Sequence, residues 1–371
     1  MKIVHITPFF GEQYGGSERY VNNLVKFHSK NHDIHIFSTT KHFSRRGKEE
    51  KDGYTLHRFY APLTIWNINP VCYLLSSLAT FEADIFHIHS YIYFASMQAM
   101  IAKYLSGTPT ILHLHGGLGL PPYRTSYTQK VAKIFFDRFI GKAMVKGANI
   151  VASVSKFDII LAKKLFGNKN PWYVYMPNGV DTAHFCPAKD IKDDTFTKIL
   201  YVGDIEPWKG IDGLINIIRN GTFKKDNIKF QFIGQGSLTP KILKVARKSE
   251  NIEYLGQKNH RTIPSYMRNA DMFVFPSKWE GTPTVVLEAM SCGLPVLATP
   301  VGDIPLIIRH KKNGMIFHWN GEELNAHIEL LQSDLALKRS ISSNARKFVE
   351  EKYDFSRIAK VVESYYYELT K

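Results

Sequence analysis

The chain has 371 residues, 44% of them hydrophobic, with 48 Lys and Arg against 33 Asp and Glu for a net charge of +15. That length supplies two cores of ordinary size, and three widely separated cysteines, Cys72, Cys186 and Cys292, exclude a disulfide framework or a zinc site and suit a reducing, cytoplasmic compartment. Lys2 and His5 break the first apolar residues and no run approaches the ~18 needed to span a bilayer, so neither a leader nor a membrane span is expected, while the surplus of positive charge points to an anionic partner.

Residues 1–11 read as a strand that runs into Gly15, Gly16 and Ser17, with Ser17 placed to cap a helix over 20–27. Gly11, Gly15 and Gly16 do not make the Gly-x-Gly-x-x-Gly turn of a nicotinamide-dependent oxidoreductase. Strands at 33–37, 85–89 and 147–153 alternate with longer helical stretches, and this βα repetition predicts an α/β fold with mostly parallel sheets covered by helices on both faces. Aromatic and apolar residues 60–75 lie near the basic run 44–48, either flanking a lipid-linked acceptor or forming a loop and a core helix. On a strand at 111–115, His113 and His115 point to the same side. In residues 127–146, Lys130, Arg138, Lys142 and Lys146 share one helical row beside Val131, Phe135, Phe139 and Ala143. Two readings of this basic amphipathic helix stand: attachment to anionic lipid, or packing on the sheet with the charged side in water. The basic residues are dispersed over βα units and form no compact nucleic-acid module, so no nucleic-acid partner is expected.

Asn178-Gly179 is a turn signal, followed by the polar stretch 189–194 and a strand at 198–203. Later, residues 271–275 form a short apolar strand stopped by Pro276 and Ser277. Gly281 lets backbone pass close to a ligand, and Pro283 suits the first turn of a helix over 284–291, whose free amides favour phosphate. Glu280 lies in the turn and Glu288 in the helix. Carboxylates only accept hydrogen bonds, so the two suit a polyol such as ribose or a hexose.

The run 275–295 resembles the signature of retaining family 4 glycosyltransferases, in which two glutamates with seven residues between them flank a Gly-rich turn. The resemblance covers nearly the whole chain. It implies the GT-B arrangement, two Rossmann-like domains facing a cleft: residues 1–180 on the acceptor side, 181–354 binding a nucleotide-diphosphate-sugar, and a helix at 355–371 returning to the first. It also implies that Glu288 binds ribose and Glu280 the transferred sugar, and that His115 stands beside the reacting sugar. Lys209, Gly15, Gly16, Gly203, Gly234, Gly281, Thr282, Pro283 and Thr284 would meet the donor. Asp204 stands where the family carries an arginine, which leaves more charge stabilisation to Lys209 and backbone amides, and Leu306 stands where a glutamate is common. No bound metal is expected, because lysine and helix amides take that role and no Asp-x-Asp pair sits in a ligand-like turn. The implied activity is transfer of a sugar to a hydroxyl of a glycan or lipid-linked acceptor without a covalent intermediate. A nucleotide-sugar-binding scaffold without turnover and an epimerase of the same architecture are the alternatives.

Overall fold

The computed structural model describes residues 1–371 apart from 12–14, 67–68, 117, 119–125, 169–170, 189–195, 221–226 and 320, so the polar stretch 189–194 and Gly117 lie outside the described residues. The chain divides into two compact units, Met1–Asn178 with Ser356–Lys371, and Gly179–Phe355.

In the first unit the strands are β1 (Lys2–Ile6), β2 (Asp33–Thr40), β3 (Gly47–Lys51), β4 (Tyr54–Tyr60), β5 (Leu63–Ile65), β6 (Asn69–Val71), β7 (Ile85–His89), β8 (Thr110–Leu114), β9 (Ile150–Ser153) and β10 (Trp172–Tyr175). Eight of them form one sheet in the order β10-β9-β8-β7-β1-β2-β4-β3, parallel except for the last strand, while β5 and β6 make a separate hairpin. β7, β8 and β9 are buried at every position, as the central strands of a parallel sheet must be when helices cover both faces. The antiparallel edge, β3, instead exposes Lys48 and Glu50, charges that discourage pairing with another chain.

Three expectations are corrected here. The first helix spans Gly16–His28 with extended Gly15 as its N-cap, so Ser17 lies inside the first turn and gives its hydroxyl to Glu18 at 3.2 Å instead of capping. The strand expected from 147 begins at Ile150, because Gly147 closes the preceding helix. Residues 127–146 are not one regular helix: Tyr127–Phe136 and Lys142–Gly147 are α-helical, but Asp137–Gly141 is a π-turn that resets the register. Consequently Val131, Phe135 and Phe139 face solvent, and Met144 and Val145 face the core.

The helix Phe355–Leu369 is held on this unit by polar contacts as well as apolar ones. His28 Nε2 donates to the Ala359 carbonyl at 2.9 Å, His32 meets Glu363 at 2.7 Å, and the buried Tyr366 hydroxyl bonds His87 Nδ1 at 2.6 Å.

The second unit carries β11 (Thr197–Val202), β12 (Ile228–Ile233), β13 (Ile252–Gly256), β14 (Met272–Phe275), β15 (Val296–Ala298) and β16 (Met315–Ile316). They form one parallel sheet in the order β13-β12-β11-β14-β15-β16. Successive residues of β14 enter opposite cores: Phe273 and Phe275 pack with Val286 and Met290, and Met272 and Val274 with Phe230 and Phe232. That two-sided burial is why 272–275 is wholly apolar. Arg346 ties the start of this unit to the end of the helix Thr284–Ser291 by donating to the carbonyls of Thr182, Phe185 and Ser291 at 2.7 to 3.0 Å.

Replacing Tyr366 by Phe leaves a buried imidazole nitrogen of His87 without its hydroxyl, which costs about 2 kcal/mol of stability. Urea unfolding monitored by circular dichroism measures it, and an unchanged midpoint contradicts the anchoring role.

Candidate active site

β11 lies between β12 and β14, so the chain leaves it on one side and returns on the other. Loops diverge at the carboxyl ends of such a pair and open a crevice for ligand. After β11 come Gly203 to Gly210; after β14 come Pro276 to Pro283. The two loops are laced together: Lys278 N donates to the Trp208 carbonyl at 2.8 Å, and Lys209 Nζ donates to Glu280 Oε1 at 2.6 Å. Ser277 Oγ gives the same carboxylate oxygen a second bond at 2.8 Å. Lys209 and Glu280 are largely shielded from solvent, their side chains 19% and 12% exposed, so the pair is screened less than a surface ion pair.

Glu288 sits on the second turn of the helix Thr284–Ser291, its side chain 6% exposed, and bonds His260 Nε2 at 2.8 Å. Both glutamates are therefore drawn into the protein rather than spread into solvent. Thr282 Oγ1 donates to Asp303 Oδ2 at 2.6 Å and the Asp303 amide donates to the Gly281 carbonyl at 3.0 Å, which shapes the turn leading into the helix. Pro283 is the N-cap, and its carbonyl accepts from the Val286 amide at 3.2 Å; the Thr284 and Val285 amides stand at the helix start, where N–H groups without an intrahelical acceptor attract anions.

The glycine turns are close-packed. Gly234 has φ +138°, and a Cβ on it would overlap the Gly203 carbonyl oxygen, so only glycine lets the turns after β11 and β12 lie against each other. Glu206 joins the same turns by accepting from Ser237 N at 3.0 Å and Ser237 Oγ at 2.6 Å. Asp204 has an exposed side chain, and its carbonyl accepts from the Tyr201 hydroxyl at 2.7 Å. Burial, with Glu280, Asp204 and Glu206 nearby, holds that phenol well above its ordinary range, hence neutral.

In the first unit His115 belongs to a row of histidines that sequence reading had reduced to two. His5 on β1, His87 and His89 on β7, and His113 and His115 at the end of β8 project to one side of the sheet. His115 Nε2 pairs with His89 Nδ1 at 2.9 Å, His89 Nε2 with His5 Nδ1 at 3.0 Å, and His87 Nε2 with His113 Nδ1 at 3.1 Å. Tyr20, on the helix that Gly15 and Gly16 open, places its ring edge against His113 and His115. Burial keeps these imidazoles neutral, lowering His5 and His115 to about 3 and the other three well below the ordinary histidine value. Two trios, His5-His87-His89 and His89-His113-His115, bring ring nitrogens within 4.8 Å of one another and are the described residues able to hold a metal ion.

His260, Ser277, Asp303 and the inner histidines escaped the sequence reading. His260 lies 28 residues before Glu288, in a short turn whose only local signal is the capping Asn259. The inner histidines do alternate along apolar strands, a pattern that could have found them.

The description "Glycosyltransferase Family 4" matches residues 14–184, and "Glycosyl transferases group 1" matches residues 186–348. The chain belongs to the family 4 type of glycosyltransferases. This glycosyltransferase is 26% identical over 366 residues to an uncharacterized glycosyltransferase of Methanocaldococcus jannaschii, covering 96% of this chain and 95% of the relative. It is 24% identical over 336 residues, 84% of each chain, to the Escherichia coli UDP-Gal:alpha-D-GlcNAc-diphosphoundecaprenol alpha-1,3-galactosyltransferase. Its fold is similar to that of Anabaena HepE, solved with UDP and glucose, at a TM-score of 0.73 and 18% identity over 98% of both chains. The glycosyltransferase therefore has the GT-B fold, with mostly parallel sheets in two α/β domains.

The histidine row sets an acid limit. In the unfolded chain each histidine binds a proton as pH drops through about 6.5, whereas the folded row resists until about 3 at His5 and His115. The unfolded state then holds more protons, so stability is full above 6.5 and falls below it, by roughly 1.4 kcal/mol per pH unit for each such histidine. Thermal unfolding from pH 7.5 to 5 will show a steepening loss below 6.5; a flat profile contradicts neutral burial.

Proposed function

We propose that this glycosyltransferase moves a sugar from a nucleotide-diphosphate-sugar to a hydroxyl of a glycan or lipid-linked glycan, with retention of anomeric configuration and no covalent enzyme intermediate. The observation that carries the reading is the Lys209–Glu280 contact across the loops after β11 and β14, beside a helix start and within the unit that also holds Glu288. A cation and helix amides suit the diphosphate, and carboxylates suit sugar hydroxyls. The E. coli relative, named for UDP-Gal, and Anabaena HepE, solved with UDP and glucose, support that donor class, and the E. coli relative, named for a diphosphoundecaprenol substrate, supports a lipid-linked acceptor.

On this reading Glu288 accepts from ribose and Glu280 from the transferred sugar. As donor enters, Lys209 turns from Glu280 toward the diphosphate, where charge grows as the glycosidic bond breaks. Gly15, Gly16, Gly203, Gly234 and Gly281 offer backbone to the substrates without side chains in the way, and Thr282, Pro283 and Thr284 set the helix start beneath the phosphates. The acceptor hydroxyl attacks from the face the diphosphate leaves, passing its proton to a phosphate oxygen. His115 orients sugar or acceptor and does not serve as base. Lys209 and the amides carry the electrostatic work, so no divalent ion is required.

Glu288→Ala raises the donor KM with kcat largely kept, while Glu280→Ala lowers kcat by about a hundredfold or more. Both are read from release of labelled nucleoside diphosphate across uridine, guanosine and adenosine diphosphate sugars. Wild-type kinetics in both variants overturns the assignment, and binding of donor without turnover favours the scaffold. Activity is expected to persist in EDTA; its loss there and return with Mg²⁺ or Mn²⁺ overturns the metal-free mechanism.

A further inference from the structure

Sequence alone left the run 127–146 between a helix packed on the sheet and a membrane-facing one, and the structure shows an outer face that neither core covers. Tyr127, Val131, Ile134, Phe135 and Phe139 are exposed, the two phenylalanines by 62% and 56%. The π-turn Asp137–Gly141 keeps the Phe139 ring 4.8 Å from that of Phe135 despite the break in register. Gly141 sits where a Cβ would crowd the Tyr91 ring, so the turn is seated on the core while its outer residues remain in water.

Charge on this face has one sign. Lys130, Arg138, Lys142 and Lys146 are exposed, and the sole carboxylate of the run, Asp137, is turned inward to Lys133 Nζ at 2.5 Å and the Tyr91 hydroxyl at 2.8 Å. Aromatic and aliphatic side chains interleaved with cations, and with no outward anion, complement a surface that presents negative headgroups above hydrocarbon. Among the described residues no helix is long and apolar enough to cross a membrane. We infer that the outer face of residues 127–146 docks on an anionic phospholipid bilayer, the aromatic pair entering the headgroup boundary and the four cations lying against phosphate.

The inference stands apart from the donor chemistry, and so does its test. The full chain is sedimented with vesicles of phosphatidylglycerol and phosphatidylcholine in equal parts, and with pure phosphatidylcholine vesicles, at about 0.1 M salt. Preferential binding to the anionic vesicles is expected. Arg138→Gln with Lys142→Gln, which removes no exposed apolar surface, weakens it on the order of tenfold; Phe135→Ser with Phe139→Ser weakens it on both vesicle types. Unfolding midpoints within the wild-type range show that both variants are folded. Equal binding to the two vesicle types, wild-type binding by both variants, or gel-filtration self-association abolished by the phenylalanine substitutions overturns it, the last assigning the face to a second copy of the chain.

Discussion

The sheet end of the second unit is held by a charged contact, Lys209 with Glu280, between loops that follow adjacent parallel strands. An ion pair so shielded is stable only because it is over-determined: Ser277 steadies the carboxylate, and the backbone bond from Lys278 to Trp208 fixes the spacing of the loops. Each partner neutralises the other, which removes the cost of leaving either charge alone at the end of the sheet.

Around that contact the fold works by close approach of backbone. The turns after β11 and β12 touch at Gly203 and Gly234, and Gly210 lies against the Pro276 carbonyl and the Trp319 ring. These glycines are needed for packing, and they set the distance between the loops. Substitution there would disturb the geometry of the loops.

Much of this was legible in the residues themselves. The strand 272–275 and the helix Thr284–Ser291 follow from an apolar run, a proline stop and a proline entry, and their bounds are those the pattern predicts to within a residue. Glu280 and Glu288 stood out because packing does not explain them. The partners of those glutamates were not legible: Lys209 lies 71 residues from Glu280, and His260 lies 28 residues from Glu288. The π-turn at Asp137–Gly141 was hidden for a different reason, since Arg138, Lys142 and Lys146, and Phe135 and Phe139, keep across it a spacing of four that a regular helix would also show. Local pattern sees one chain segment at a time, and tertiary pairing decides the rest.

The histidine row carries a consequence for proton placement. A neutral imidazole holds one N–H, so His89 can donate into only one of its two contacts. If it donated toward His5, the proton of His5 would sit on Nε2, which is buried with no acceptor, an arrangement proteins avoid more strongly than an idle lone pair. The order that remains puts the proton on Nδ1 of His5, His89 and His115 alike. His115 then offers an N–H to whatever lies beyond it, and the interior of the sheet has already chosen its tautomer.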